Sequence, residues 1–424
     1  MVTVLVVAFC VLLLLNVPVS FAMGIASALA LLWADLPLTL IVQRLVNSAD
    51  SFVLLAVPLF LLTGVLMSRS GIAQDLITLA LALLGRFRGG LAHANVGAAT
   101  LMGGVTGSAV ADASSLGSAL IPPMMRAGYR GAFAAAIASS ASLITVLIPP
   151  SVPTIIFAVV TGVSVTDLFL AGVIPGLLMA LVMGLTTALL ARREGLEPGR
   201  PTPLRDLPGV LRRSLVALLM PVVIIGSIRY GIATPTEAAV VAVVYALAAG
   251  LFYYRTITLR DLPGILLESS LTTGVVMLMI ATANLYGLIL TRGQVGVEAA
   301  AFVTGLTDDP RLVLLAIIAL YLVAGTVIDL GAGIISLVPV LFPVTQALGI
   351  DPVAFGIVTI LALSIGLVTP PVGSSLFICC GIARVRLMDA SRAALPYVAA
   401  LTLLTVLIAL VPEIATWLPY AAKG

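Results

Sequence analysis

Glycines and prolines recur along this chain at a fixed spacing of 221 residues. Gly104 pairs with Gly325, Pro122 with Pro343, Gly128 with Gly349, Pro149-Pro150 with Pro370-Pro371, and Pro175 with Pro396. No gap is needed over about 70 residues. These residue types set backbone geometry: glycine opens conformations closed to other residues, and proline removes a backbone donor and fixes φ. A spacing held by such residues means that one backbone path is built twice.

The surroundings of both copies say in which medium they fold. Of the 424 residues, 61% are hydrophobic and 9% charged, and the mean hydropathy is +1.24. A soluble domain carries about 25% charged residues. The composition therefore implies an all-α polytopic membrane protein. Apolar stretches run over 2–16, 19–34, 51–68, 131–163, 166–191, 211–229, 235–254, 266–290, 352–384 and 388–412. A crossing needs about 20 residues, so the first is short. Two further apolar regions, 91–125 and 310–347, are interrupted by Gly103–Ser108 and Ala324–Asp329. Both read as re-entrant hairpins, because irregular backbone at membrane depth is tolerated only where protein or water surrounds it.

The expected organisation is two inverted structural repeats, each of five spans plus one re-entrant hairpin. Five is odd, so the second copy enters from the opposite face. The first repeat covers 1–191, with hairpin 91–125 and a broken helix over 131–163. The second covers 211–424, with hairpin 310–347 and a broken helix over 352–384. Residues 192–210, rich in Pro, Gly and Arg, form a cytoplasmic linker. With both termini periplasmic, 16 of the 21 basic residues fall on the cytoplasmic side, as the positive-inside rule asks. Amphipathic stretches at 36–48, 71–86 and 256–266 suit either interfacial arms or surface connectors. The first apolar run lacks a basic leader and an A-x-A site, so it reads as a mature helix. Cys379 and Cys380 are adjacent and imply no disulfide framework.

Two places carry the chemistry. Ser142 leads to Pro149-Pro150-Ser151, and Thr369-Pro370-Pro371 leads to Gly373-Ser374. Consecutive prolines open a helix, freeing carbonyls that suit a small cation and amides that suit an anionic group. A simple proline kink is the alternative. Asp112 follows the first hairpin tip and Asp329 lies at the second. A carboxylate in a membrane span is costly and marks a cation or proton site, or caps a half-helix. Glu237, after Thr234-Pro235, reads as a helix start. Arg229 and Arg292 suit the outer interface. His93 is the sole histidine and cannot build a zinc site, so no transition metal is expected. Walker A, HExxH and G-x-S-x-G motifs are absent, which leaves no ATP site and no enzyme signature. No nucleic-acid partner and no cofactor are expected.

GGVTGSAVADASSLGSALIPPM (103–124), LIPPSVPTIIF (147–157), LFLAGVIPGLLM (168–179), TPTEAA (234–239), GIDPVAFG (349–356) and GLVTPPVGSSLF (366–377) resemble the DctM-type large membrane subunit of tripartite ATP-independent periplasmic (TRAP) transporters. The resemblance spans essentially the whole chain. It implies a bacterial inner-membrane importer of organic acids such as dicarboxylates, sialic acids, keto acids or sugar acids. The resemblance further implies sodium ions as the coupling ions and transport by an elevator motion. It also implies a small four-helix membrane subunit, here a separate chain, and a periplasmic substrate-binding protein, with membrane lipid around them. Carried over by motif, the sodium candidates are Gly104, Thr106, Ser108, Asp112, Ser142, Pro149, Gly325, Asp329, Thr369 and Gly373. The substrate candidates are Pro150, Ser151, Pro370 and Ser374. The competing reading is an inverted-repeat anion symporter that needs no binding protein.

Overall fold

The computed structural model describes residues 1–15, 17–49, 52–199, 203, 207–307 and 309–421. Arg200 and Arg205 of the expected linker, and Lys423, lie outside these residues. No β-strand forms among the described residues. The first copy comprises α1 (Val2–Leu14), α2 (Val19–Trp33), α3 (Thr39–Ala49), α4 (Ala56–Arg69), α5 (Ile72–Leu84), α6 (Gly90–Thr106), α7 (Ala109–Arg126), α8 (Gly131–Ser142), α9 (Val152–Thr161) and α10 (Val165–Arg193). The second comprises α11 (Leu207–Arg229), α12 (Pro235–Ala248), α13 (Leu262–Arg292), α14 (Val295–Leu306), α15 (Pro310–Gly325), α16 (Leu330–Ala347), α17 (Pro352–Ile365), α18 (Ser374–Ala383) and α19 (Leu387–Leu410). A short α20 (Glu413–Ala421) follows.

The 221-residue spacing carries through to the helices. Shifted by it, α7 covers 330–347, the span of α16, and α8 starts where α17 starts. The peptide bonds Pro149-Pro150 and Pro370-Pro371 are both cis. Gly128 and Gly349 both end their turns at positive φ, 86° and 67°.

Two expected boundaries differ. The span expected at 51–68 is a four-residue 3₁₀ turn and α4, which bends by 67° into α5 at Gly71. Gly71 has φ 80°, a left-handed conformation that ends a helix cheaply only at glycine. The span expected at 266–290 starts earlier, at Leu262, and takes in the end of the arm expected at 256–266 as one 31-residue helix, α13. Its proline, Pro263, sits in the first turn, where a missing N–H costs nothing. As its length predicted, the run 2–16 gives a short helix of 13 residues, about 20 Å at 1.5 Å per residue, less than a bilayer. Among the described residues, six helices are long and apolar enough to cross a membrane, or seven if α4 and α5 count as one. The halves of the broken helices fall below that length.

The broken helices occupy the centre. Every residue of α17 from Val353 to Ile365 is buried, as is every residue of α8 from Phe133 to Ser142. A helix apolar all round has no solvent face and belongs in the middle of a bundle. Phe157, Phe342, Phe355 and Tyr321 interlock α9, α16, α17 and α15, with ring centroids 6.0 to 6.4 Å apart. The copies also interleave. α18 of the second packs on α7 and α8 of the first, and α16 packs on α9. Around this centre lie α2, α4, α12 and α13, packed on one another.

Candidate functional site

Each hairpin tip rests on the break of the broken helix that follows it. At the first tip α6 ends on Gly107, φ 61°, and Ser108 caps α7 by accepting from the Ala111 amide at 3.5 Å. A side chain on Gly107 would collide with the Pro150 carbonyl oxygen and come within 3.1 Å of the Ser151 Cα. A Cβ on Gly103 would lie 2.8 Å from the Ile148 side chain, and one on Gly104 would meet Pro221 of α11 and lie 3.7 Å from the Pro149 carbonyl oxygen. Gly107 lets tip and break lie backbone to backbone. At the second tip the Val372 amide donates to the Thr326 carbonyl at 3.1 Å. A Cβ on Gly325 would lie 2.9 Å from the Leu363 carbonyl.

Pro149 and Pro150 provide no N–H, so carbonyls one turn earlier lose their helical donor. The Ser151 hydroxyl replaces one of them, donating to the Val146 carbonyl at 2.5 Å, and its oxygen caps α9 through the Thr154 amide at 3.4 Å. The hydroxyl of Ser142 donates to the Ser139 carbonyl and that of Thr145 to the Ser142 carbonyl, each at 2.8 Å. In the second break Thr369 donates to the Ile365 carbonyl at 2.8 Å, and Gly373 starts α18 at φ 46°. The hydroxyl oxygens of Ser374 and Ser375 at the head of α18 are buried and have no hydrogen-bond partner among the described residues.

The two acids are not equivalent. Asp112 stands one turn into α7 and is fully buried. One carboxylate oxygen accepts from the Thr106 hydroxyl at 2.5 Å, and the other, Oδ1, has no hydrogen bond among the described residues. A buried acceptor left unmatched costs about 1–3 kcal/mol, more for a charged group, and a cation would offset that. Asp329 caps α16, accepting from the Gly331 amide at 3.3 Å. The 221-residue spacing pairs Asp329 with the cap Ser108, and Asp112 with Gly333.

Beside the first tip is a cavity of about 180 Å³. Thr106, Ser108, Asp112 and Ser115 of the hairpin line it, facing Ser68 of α4 and Glu268 and Thr272 of α13. Glu268 also accepts from Arg69 at 2.7 Å. Of the sequence candidates, only Thr106, Ser108 and Asp112 reach this cavity. Gly104, Pro149, Pro150 and Ser151 form the tip-to-break contact, and Ser142 closes the end of α8. Gly325, Asp329, Thr369, Pro370, Gly373 and Ser374 form the second tip and break. Packing of α18 on α7 joins the two sets: the Cys379 thiol donates to the Ala113 carbonyl at 3.5 Å. Ser68, Ser115, Glu268 and Thr272 were missed. Their signal was a polar residue at helical spacing in an otherwise apolar stretch. Glu237 forms a capping box with Thr234, as its sequence context predicted.

Residues 6–414 match the family model described as "Tripartite ATP-independent periplasmic transporter, DctM component". The chain belongs to this family. It is 36% identical over 401 residues to the 2,3-diketo-L-gulonate TRAP transporter large permease protein of Escherichia coli, covering 94% of each chain. It is 38% identical over 414 residues to the sialic acid TRAP transporter large permease protein of Vibrio cholerae, covering 97% of each. Among solved structures it shares a fold with the YdaH transporter of Alcanivorax borkumensis, at TM-score 0.61 and 16% identity over 90% of this chain and 88% of that one. The chain is thus a multi-pass transporter permease of the TRAP family.

Proposed function

We propose that this chain is the translocating subunit of a sodium-driven TRAP importer in the bacterial inner membrane, both termini periplasmic. A periplasmic binding protein delivers the organic acid, and a separate small four-helix subunit completes the membrane part. The observation that carries this reading is the pair of hairpin tips, each seated on a proline break, interleaved across the two copies. Tip carbonyls, break carbonyls and hydroxyls supply hard oxygen ligands of the kind that coordinate sodium at broken helices. The unpartnered oxygen of Asp112 supplies the charge.

The interleaving supports an elevator motion. Residues 91–163 and 310–384 form one body through the α7–α18 and α9–α16 contacts. Moving one tip-and-break pair alone would expose backbone groups to lipid, at several kcal/mol each. Moving both together keeps these contacts and slides the body along α4, α11 and α13, on which α6, α9 and α16 pack and which, with α2 and α12, stay with the small subunit.

The test is uptake into proteoliposomes holding the chain, the small subunit and the binding protein. Uptake should require an inward sodium gradient. Undiminished uptake with potassium in place of sodium would refute the coupling. Uptake by this chain alone would favour the self-sufficient symporter.

A further inference from the structure

Besides the Asp112 cavity, a second cleft, of about 370 Å³, is walled by α3, α13 and α16 together with Val160 of α9. Its size lies within the roughly 300–1,000 Å³ range of small-molecule sites.

The two clefts differ in sign. Asp112 and Glu268 line the first, with no basic residue, whereas Arg44 lines the second, with no acidic residue. Arg44 makes no ion pair among the described residues. Its guanidinium presents a fork that matches a carboxylate. The other polar lining groups are Asn284 and Thr291. Each donates to its own helix, Asn284 to the Ile280 carbonyl at 3.3 Å and Thr291 to the Gly287 carbonyl at 2.8 Å. Each retains an acceptor oxygen. Val338 and Phe342 supply apolar walls.

We propose that this cleft is an anion subsite for a hydroxylated monocarboxylate, a sugar-acid type of molecule. Arg44 takes the carboxylate, and Asn284 and Thr291 take hydroxyl protons. A dicarboxylate without hydroxyls would turn its second anion onto acceptor oxygens. The assignment rests on the importer reading and narrows its organic acid to this class. The same guanidinium would hold a phospholipid phosphate, so the test separates the two sources.

The chain carrying Cys10→Ser and Val160→Cys, labelled with a polarity-sensitive dye, is embedded with the small subunit in phosphatidylcholine nanodiscs. It is titrated with sodium gluconate and with sodium succinate at constant ionic strength. Gluconate should shift the dye and bind about fivefold more tightly than succinate. Arg44→Gln should weaken gluconate binding by about fivefold, and Arg44→Lys should recover part of it. Size-exclusion profiles establish that each variant is folded. A flat gluconate titration, or one unchanged in Arg44→Gln, would overturn the subsite. A dye shift produced by added phosphatidylglycerol and insensitive to gluconate would overturn it in favour of a lipid headgroup. Sodium-driven uptake by the three-component system is read separately. It can succeed while this titration is flat, which sinks the subsite alone, and its failure would sink the importer reading whatever the titration shows.

Discussion

Replacing Gly107 by alanine tests whether contact between tip and break is what organises the site. Gly107 has φ 61°, and a left-handed conformation costs a residue bearing Cβ about 1–2 kcal/mol. Its new methyl would meet the Pro150 carbonyl oxygen and the Ser151 Cα, neither of which is a flexible side-chain end. Overpacking of that kind adds about 1–3 kcal/mol, so the total is about 2–5 kcal/mol. Gly128 supplies the control. It too has positive φ, 86°, but nothing lies within 4 Å of the position its Cβ would take. Gly128→Ala should therefore show the backbone cost alone, about 1–2 kcal/mol. Thermal unfolding in detergent and sodium-dependent uptake in proteoliposomes would be measured for both. Gly107→Ala should be the less stable, and its uptake should fall more than about tenfold, matching a loss of about 1.4 kcal/mol or more at the site. Gly128→Ala should keep its uptake. Equal behaviour of the two variants, or a wild-type sodium response in Gly107→Ala, would show that tip and break need not touch.

Asp112→Ala should weaken sodium activation of uptake by about tenfold or more, the equivalent of about 1.4 kcal/mol, read from a sodium titration. Asp329→Ala should cost about 1 kcal/mol of stability as a lost cap and leave the sodium titration unchanged. Phe355→Ala, which empties the centre of the aromatic cluster, should cost about 3–5 kcal/mol and lower the yield of folded protein. Glu237→Ala should lower the thermal midpoint by removing the capping box while uptake persists.

The hairpins and breaks were legible because glycine and proline write backbone geometry into the sequence. Gly107, Pro149-Pro150 and Pro370-Pro371 act where they stand, whatever packs around them. The joining of the end of 256–266 to 266–290 was not legible, because continuity of α13 depends on the absence of a breaker after Pro263. The shortness of α1 was legible, because its apolar run falls below the roughly 20 residues a crossing needs. The roles of Asp112 and Asp329 looked alike from their nearness to a tip. The spacing itself separates them, because Asp329 aligns with the cap Ser108. Glu268 and Arg44 stayed hidden for a different reason. Each lies on a helix far in sequence from the group it faces across a cleft, and only tertiary packing brings them there.

Movement of both tip-and-break pairs as one body is tested most directly by two disulfides. Ala113→Cys would pair with the native Cys379, joining α7 to α18 inside the proposed moving body. Met279→Cys with Gly331→Cys would join α13 to α16 across its boundary, where the Met279 sulfur lies 3.9 Å from the Gly331 Cβ position. Uptake of the reconstituted three-component system is measured before and after oxidation. The first link should leave uptake intact, and the second should stop it until reductant is added. Uptake abolished by the first link and spared by the second would mean that the two pairs move against each other.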